Sequence, residues 1–180
     1  MSLVAYLDAD WAGCSDTRRS TSGYSIFLSN NLVSWSAKKQ PTVSRSSCES
    51  EYHALALTVA EVLWLTHLLR DLRVTLTHWP LLLCDNKSAI FLSSNLVSHK
   101  RAKHIDLDYH FLRELVVYGT LRLQHVLSHL QLVDIFTNSV SRDLYVFFRS
   151  KLRVCVNPTL SLRGAIKNSS TSVIDLWNPP

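Results

Sequence analysis

Four segments of the chain place a carboxylate inside an apolar run or directly after one. They carry Asp8 with its neighbour Asp10, then Glu51, Asp85 and Asp134. Like charges repel one another, so carboxylates that converge in a protein interior need cations between them. Mg²⁺ takes oxygen ligands, and two such ions roughly 3.5–4 Å apart can activate a water and stabilise a leaving oxygen. The pattern therefore indicates metal-dependent cleavage of a phosphodiester, if the fold brings the four segments together.

The first segment begins with an apolar run, Leu3 to Leu7, that predicts a buried strand. The strand would deliver Asp8 and Asp10 at its end. Aspartate is also a favoured turn residue, and a turn is the preferred interpretation of this segment taken alone. The residues themselves do not decide which of the two aspartates would bind a metal.

The second segment lies at the start of a long predicted helix. Ser46 and Glu49 form a capping-box pattern, and the helix runs to about Arg70. It is apolar on most sides, as is typical of the central helix of a domain. Glu51 lies in the first turn and shares a face with Leu55. A glutamate on the inward side of a buried helix is unfavourable unless something pairs with it.

The third and fourth segments lie in the second half of the chain. Leu81 to Cys84 is a continuous apolar run, typical of an interior strand of the parallel type, and Asp85 follows it. The alternative to a ligand role is a structural one, in which Asp85 is the N-cap of the next helix. Ligands commonly bind beyond the carboxyl ends of strands, so two strands that both end in aspartate predict one shared site. Asp134 is the one carboxylate of a short apolar helix predicted over 132–136.

The remaining pattern predicts a mixed α/β domain. Strands over 24–28 and 32–36 joined by a hairpin at 29–31 would form an antiparallel meander with the first strand. An amphipathic helix from 105 to about 119, an alternating strand over 121–126 and a last helix over about 143–152 complete the domain. We expect the domain to span 1–152 and the Ser-, Asn- and Pro-rich tail, 153–180, to be disordered.

Composition narrows the class of protein. The chain has 180 residues, 47% hydrophobic and 18% charged, which indicates a globular domain, and it contains no P-loop or G-x-G-x-x-G motif. The formal charge of +5 suits a polyanionic partner, although many basic proteins bind none. The four cysteines are scattered without a C-x-x-C pair, which argues against a zinc knuckle or a disulfide framework and predicts an intracellular, reducing compartment.

No membrane association is expected. The longest apolar stretch, 55–69, is interrupted by Glu61 and His67 and is interpreted as a buried helix. The amino terminus lacks the charged and apolar segments of a signal peptide. No small-molecule cofactor is expected either.

Seven motifs follow one another between residues 3 and 152. They are D-A-D-W-A-G at 8–13, D-T-R-R-S-T-S-G-Y at 16–24, S-W-S-A-K-K-Q at 34–40, E-S-E-Y at 49–52, C-D-N-K-S-A at 84–89, K-H-I-D at 103–106 and D-I-F-T at 134–137. In this order they resemble the ribonuclease H domain at the end of the Pol polyprotein of Ty/copia-type LTR retrotransposons. So many long motifs in sequence make the match highly specific.

The resemblance implies a ribonuclease H-like fold, with a five-stranded mixed sheet of three antiparallel and then two parallel strands, flanked by helices. It implies hydrolysis of the RNA strand of an RNA–DNA hybrid with two Mg²⁺ ions, for which Mn²⁺ would be a substitute. The implied partners are the hybrid and the reverse transcriptase domain of the parent polyprotein. The expected location is the cytoplasm, a virus-like particle or the nucleus.

The resemblance also selects site residues. In the family, the metal ligand is the first aspartate of the D-A-D-W-A-G motif. The resemblance therefore implies that Asp8 is the ligand and that Asp10 is a neighbour. The implied catalytic and metal-binding set is Asp8, Glu51, Asp85 and Asp134.

Basic and polar residues of the same motifs are candidates for binding the hybrid through phosphates and 2′-hydroxyls. A solvated surface charge is the alternative for each lysine. His129 occupies a position where cellular ribonucleases H often carry a histidine that shuttles protons. The preferred interpretation of His129 is nevertheless a chance substitution. For Trp11 and Trp35, core packing is preferred over stacking on sugars. The candidates for hybrid binding are Arg18, Arg19, Lys38, Lys39, Asn86, Lys103 and His104.

Several positions depart from the family pattern. Ser29 and Arg153 stand where glycine is usual, and Asn138 stands where a lysine follows Thr137. The departures leave two functional classes open: an active hybrid endonuclease, and a decayed remnant that at most binds nucleic acid. Integrases and transposases share the fold and are a weaker third alternative, because they use fewer acidic residues in a different order.

Overall fold

The computed structural model describes residues 1–94 and 106–154. Lys103 and His104, and residues 155–180 of the predicted tail, lie outside the described residues. The elements are β1 (Leu3–Asp10), β2 (Thr21–Leu28), β3 (Asn31–Lys39), α1 (Ser47–Asp71), β4 (Leu81–Cys84), α2 (Lys87–Ser94), α3 (Asp106–Val117), β5 (Arg122–His125), a 3₁₀ turn (Ser128–Leu130), α4 (Asp134–Thr137) and α5 (Arg142–Lys151).

The five strands form one mixed sheet in the order β3-β2-β1-β4-β5. β1 pairs antiparallel with β2, and β2 with β3, whereas β4 pairs parallel with both β1 and β5. The predicted fold class is thereby confirmed. In the parallel pair, Tyr6 lies opposite Leu83. Continuation of that register brings Asp8 level with Asp85, at the carboxyl ends of both strands.

Three strands are longer than the sequence predicts, and β2 is one of them, because it begins at Thr21 rather than at 24. β1 continues through Asp8 to Asp10, because these residues pair with Gly23 and Thr21 of β2. The turn interpretation of the first aspartates is therefore wrong, and the chain turns only at Trp11. β3 likewise continues through Lys38 and Lys39.

Helix α1 is the central helix of the domain. The Ser46 hydroxyl accepts a hydrogen bond from the Glu49 amide at 3.2 Å, which confirms the predicted cap. Among the described residues, α1 alone has the length and apolar composition of a membrane-crossing helix. Its residues Leu55, Val59 and Val62 are fully buried in the main hydrophobic cluster together with β1. This is the environment of a core helix.

The two faces of the sheet carry different layers. Leu3 and Leu7 of β1 belong to the cluster that includes α1, whereas Tyr6 packs with Phe27 and Phe148 in a second cluster beneath α4 and α5. The alternation follows from the two-residue period of a strand. The sheet is thus covered on both faces, and its carboxyl-end edge lies between the two layers.

Core packing of the two tryptophans is not observed. Trp11 is 48% exposed and Trp35 is 62% exposed. Trp35 lies on the edge strand β3, and Trp11 follows the end of β1, where its Nε1 donates to the Ser44 carbonyl at 3.0 Å. Aromatic composition predicted burial, but these positions lie at the rim of the sheet.

Candidate active site

Asp8 is the carboxylate most tightly bound by its neighbours. It is 5% exposed, near the end of β1. The Thr137 hydroxyl donates a hydrogen bond to its Oδ2, and the side-chain NH₂ group of Asn138 donates to the same oxygen at 3.1 Å. Both donors come from the end of α4. The bonds orient one of the two carboxylate oxygens.

Helix α4 reaches Asp8 because β2 carries a glycine beneath it. A Cβ at Gly23 would lie 2.7 Å from the side chains of both Thr137 and Val133. The preceding segment is held by Gln131, which is fully buried and donates to the Leu7 carbonyl at 2.8 Å. Close packing over Gly23 therefore sets the position of the segment that carries Asp134.

A buried glutamine aligns the start of α1 with the sheet. Gln40, at the end of β3, donates to the Ser22 hydroxyl at 2.8 Å and to the Ser50 carbonyl at 2.9 Å. Its own oxygen accepts from Ser44 at 2.8 Å. These bonds join β2, β3 and the first turn of α1, and so they fix Glu51, which is 5% exposed.

Glu51, Cys84 and Asp85 present ligand atoms that all lie within 4.8 Å of one another. Asp85 is not the N-cap of α2, contrary to the structural interpretation. Asn86 performs that role, because its Oδ1 accepts from the amides of Ser88 at 3.0 Å and Ala89 at 3.1 Å. The Asp85 carboxylate is thereby left to the site, and only the Asn86 NH₂ group remains for a ligand.

Burial and the charges of neighbouring carboxylates raise the pKa of Asp8, Glu51 and Asp134. Burial, followed by the charges of Asp8 and Asp85, raises the pKa of Glu51 to about 9. Burial and the same two charges raise the pKa of Asp134 to about 7. Burial also raises the pKa of Asp8, partly opposed by the Thr137 hydrogen bond. Asp8 and Asp134 lie outside the tightest group of ligand atoms, but all four carboxylates are close enough to interact.

The donor set fits a hard divalent cation. Within residues 1–94 and 106–154, no lysine or arginine forms an ion pair with any of the four carboxylates. Burial and the Glu51 charge raise the pKa of the Cys84 thiol, so this sulfur stays protonated and is a poor ligand. The remaining donors are carboxylate oxygens, which Mg²⁺ and Mn²⁺ prefer.

Basic residues lie along the neighbouring edge of the sheet. Lys38 and Lys39 line a groove of about 480 Å³ beside α1. Lys39 lies opposite Thr21, which lies opposite Asp10, so Lys39 is two strands from the carboxyl end of β1, about 10 Å away. Its Nζ donates to the Cys14 sulfur at 3.1 Å. The structure therefore places both lysines on the edge strand β3, two strands from the strand that carries Asp8.

The other predicted site residues are more dispersed. Arg18 is exposed and Arg19 is half-buried, both in the loop between β1 and β2, and the Arg19 Nε has no hydrogen-bond partner in the part of the chain that the structure describes. His129 lies exposed in the 3₁₀ turn that precedes α4. Their roles stay predictions.

Sequence reasoning missed the residues that support the carboxylates. Thr137 and Asn138 directly follow the D-I-F motif, but nothing local indicates a bond to a residue 129 positions away. Gln40 and Gln131 gave a weak signal at most, as long polar residues next to apolar segments.

No protein-family model matches the chain. The retrovirus-related Pol polyprotein from transposon RE2 of Arabidopsis thaliana is 47% identical over 158 residues, covering 88% of this chain and 11% of that polyprotein. The corresponding polyprotein from transposon TNT 1-94 of Nicotiana tabacum is 37% identical over 143 residues, covering 79% of this chain and 11% of its own length. The chain thus spans about a tenth of the length of these curated relatives.

Solved structures agree on the fold. The N-terminal ribonuclease H domain of rv2228c from Mycobacterium tuberculosis, solved as a fusion with maltose-binding protein, matches with a TM-score of 0.53 at 12% identity, covering 83% of this chain and 96% of that one. LC11-RNase H1 in complex with an RNA/DNA hybrid matches with a TM-score of 0.50 at 11% identity, covering 76% and 94%. The class is therefore that of the ribonuclease H fold. Within it, the homologues of the chain are retrovirus-related Pol polyproteins of copia-type transposons, of which the chain matches a short segment.

Proposed function

We propose that this chain hydrolyses the RNA strand of RNA–DNA hybrids, with two Mg²⁺ ions held by Asp8, Glu51, Asp85 and Asp134. The observation that carries the proposal is the convergence of these carboxylates between the layers of a ribonuclease H fold, without a cationic side chain paired to them in the described part of the chain. Bound ions would supply an activated water and neutralise charge on the leaving oxygen.

The chain's own residues prepare the site. Thr137 and Asn138 hold one oxygen of Asp8, and the Gln40 network holds the first turn of α1 that carries Glu51. Such supporting hydrogen bonds keep metal ligands in place and tune their basicity. Burial of Asp8 and Glu51 lowers the local dielectric constant, which strengthens their attraction for cations.

Hybrid binding is proposed for the basic residues of the neighbouring edge. Lys38 and Lys39 line a groove beside α1, and contacts to phosphates need no base readout. LC11-RNase H1, which shares the fold, was solved with an RNA/DNA hybrid. The full proposed set is Arg18, Arg19, Lys38, Lys39, Asn86, Lys103 and His104, with His129 proposed as a proton shuttle.

A reverse transcriptase domain is proposed as the neighbour in a parent polyprotein. Support comes from the curated relatives, which are Pol polyproteins roughly ten times the length of the match. The intracellular, reducing location and the disordered tail stay predictions.

The test is cleavage of an end-labelled RNA–DNA hybrid by purified protein over a Mg²⁺ series, with single-stranded RNA and duplex DNA as substrate controls. Asp8→Asn is expected to abolish cleavage. Asp10→Asn is the matched control, two residues along the same strand, and is expected to retain it. Equal loss in both variants would contradict the ligand assignment, and no cleavage by well-folded protein with Mg²⁺ or Mn²⁺ would contradict the activity.

The second candidate is a catalytically decayed remnant that at most binds nucleic acid. Ser29 and Arg153, which stand where the family usually has glycine, adopt φ of 55° and 56°. Left-handed backbone is unfavourable for residues with a Cβ, so loss of these glycines lowers stability. A folded protein that binds hybrid but does not cleave it at any metal concentration would support this candidate.

A further inference from the structure

A second groove lies at the other end of β4 from the carboxylates. Pro80 precedes this strand and Asp85 follows it, a separation of five residues or about 16 Å. The groove has a volume of about 780 Å³. It is formed by the end of α1, the connection to β4 and the start of β5, and it shares no lining residue with the groove beside Lys38.

Three arginines give the groove a positive charge. Arg70 comes from the last turn of α1, Arg73 from the following connection and Arg122 from β5. None of the described lining residues is acidic. Arg70 makes an exposed contact of 3.9 Å with Asp71, which is a weak pair. Arg73 and Arg122 have no carboxylate partner among the described residues, so their guanidinium groups are available to an anion.

The floor and one wall of the groove are apolar. Val74 and Leu76 are partly buried against the main core, and Trp79 is 60% exposed beside them. An exposed indole next to cationic side chains is the combination with which proteins hold single-stranded nucleic acid: bases stack on the ring while phosphates contact the cations.

Backbone hydrogen bonds hold the walls in place. The Val74 amide donates to the Leu69 carbonyl at 2.8 Å, and the Thr77 amide donates to the Met1 carbonyl at 2.8 Å. The Arg122 amide donates to the Pro80 carbonyl at 2.8 Å. The connection is therefore attached to α1, to the start of the chain and to β5, and the groove is largely preorganised for a ligand.

We propose that this groove binds a single-stranded polynucleotide, with a base stacked on Trp79 and the flanking phosphates contacted by Arg70, Arg73 and Arg122. A single strand is favoured over a duplex because stacking on Trp79 requires a base whose face is free. The site is separate from the carboxylates, and its existence does not depend on the proposed hydrolysis. In an active enzyme, it would hold a single strand that extends from the hybrid past β4.

The test is fluorescence anisotropy of labelled eight-nucleotide RNA and DNA with the full chain in EDTA, so that cleavage plays no part. Trp79→Ala is expected to weaken binding about tenfold or more. Trp64→Ala is the matched control, because Trp64 is 57% exposed on α1 and does not line the groove. Arg122→Ala is expected to reduce the steepness of the slope of log K against log salt concentration by about 0.7. Arg149 is exposed and lies outside the groove, so Arg149→Ala should leave this slope unchanged.

The outcomes separate the alternatives. Weaker binding by both Trp79→Ala and Arg122→Ala, at unchanged melting temperatures, supports the proposal. A higher affinity for RNA or for DNA then identifies the kind of strand that the groove binds. Equal affinity for both indicates that the groove recognises base faces and phosphates alone. Binding by Trp79→Ala equal to that of Trp64→Ala would overturn it. So would loss only in Lys38→Ala, which would place the strand at the carboxylate edge. Failure of hybrid cleavage would leave these results unaffected.

Discussion

At the scale of residues, Asp8 depends on hydrogen-bond donors that lie 129 and 130 positions later in the chain. Thr137 and Asn138 share one oxygen of its carboxylate, and the Thr137 bond lowers a pKa that burial raises. Removal of that donor should make the charged form of Asp8 less favourable. The consequence should be weaker metal binding, because Mg²⁺ requires the deprotonated ligand.

Thr137→Val is therefore expected to lower Mg²⁺ affinity about tenfold, as is typical when a residue supporting a metal ligand is lost. Calorimetric titration with Mg²⁺ measures the affinity, and hybrid cleavage over the same concentrations should shift in parallel. Thr42→Val, at an exposed threonine, is the control. Wild-type Mg²⁺ affinity in Thr137→Val would refute a role for this hydrogen bond.

Two residues in left-handed backbone offer a test of stability. Ser29→Gly and Arg153→Gly are each expected to raise the free energy of unfolding by about 0.5–1 kcal/mol, because relief of the Cβ clash exceeds the entropic penalty of glycine. Urea denaturation measures the change. Asn30→Gly is the control, since Asn30 lies in the same turn without a positive φ and glycine there should be neutral or destabilising. A loss of stability in both test variants would count against this explanation.

At the scale of elements, the site depends on how closely α4 approaches β2. Gly23 leaves room for Val133 and Thr137, and the approach brings Thr137 to Asp8 and places Asp134 beside the other carboxylates. Local propensity predicts a helix near Asp134 but not its distance from the sheet. That distance is set by the absence of a side chain at Gly23.

Gly23→Ala is expected to displace α4 and to lower the free energy of unfolding by about 1–3 kcal/mol, as is usual for overpacking. Mg²⁺ affinity should fall with it. Ser25→Ala is the matched control in the same strand: the buried Ser25 hydroxyl has no hydrogen-bond partner within 1–94 and 106–154, so its removal should be neutral or stabilising. Thermal melting and Mg²⁺ titration of both variants measure the two effects. Similar behaviour of the two would show that α4 accommodates the extra methyl group.

At the scale of the whole molecule, the domain concentrates uncompensated negative charge at one end of its sheet and positive charge beside it and at the opposite end. The pKa of Glu51 rises from 4.5 to about 9 and that of Asp134 from 3.8 to about 7 on folding. Without metal, the folded state therefore holds protons that the unfolded chain releases. The stability from these groups is present below their unfolded values and is lost as pH rises through the folded ones.

The metal-free protein is accordingly expected to lose thermal stability between about pH 5 and pH 9. Added Mg²⁺ should raise the melting temperature, and the increase should be larger at pH 8 than at pH 5, because fewer protons then have to leave the ligands. Melting curves with EDTA and with Mg²⁺ measure this. Glu51→Gln isolates the contribution of one carboxylate and should flatten the metal-free profile. A wild-type profile no steeper than that of Glu51→Gln would contradict the assignment.

The sequence by itself predicted the local elements, the mixed five-stranded sheet through the family resemblance, and four carboxylates as candidate ligands. Such features depend on periodicity, capping and short motifs, as the Ser46 cap of α1 illustrates. They are carried by neighbouring residues, and so they can be inferred without knowledge of the packing.

The tertiary structure alone decided how the carboxylates are supported. The bond from Thr137 to Asp8, the use of Asn86 rather than Asp85 as a cap, the exposure of Trp35 and the groove around Trp79 all depend on which distant segments meet. No pattern in the sequence specifies such contacts. They follow from close packing of whole layers, in which α4 reaches Asp8 only because Gly23 leaves space beneath it.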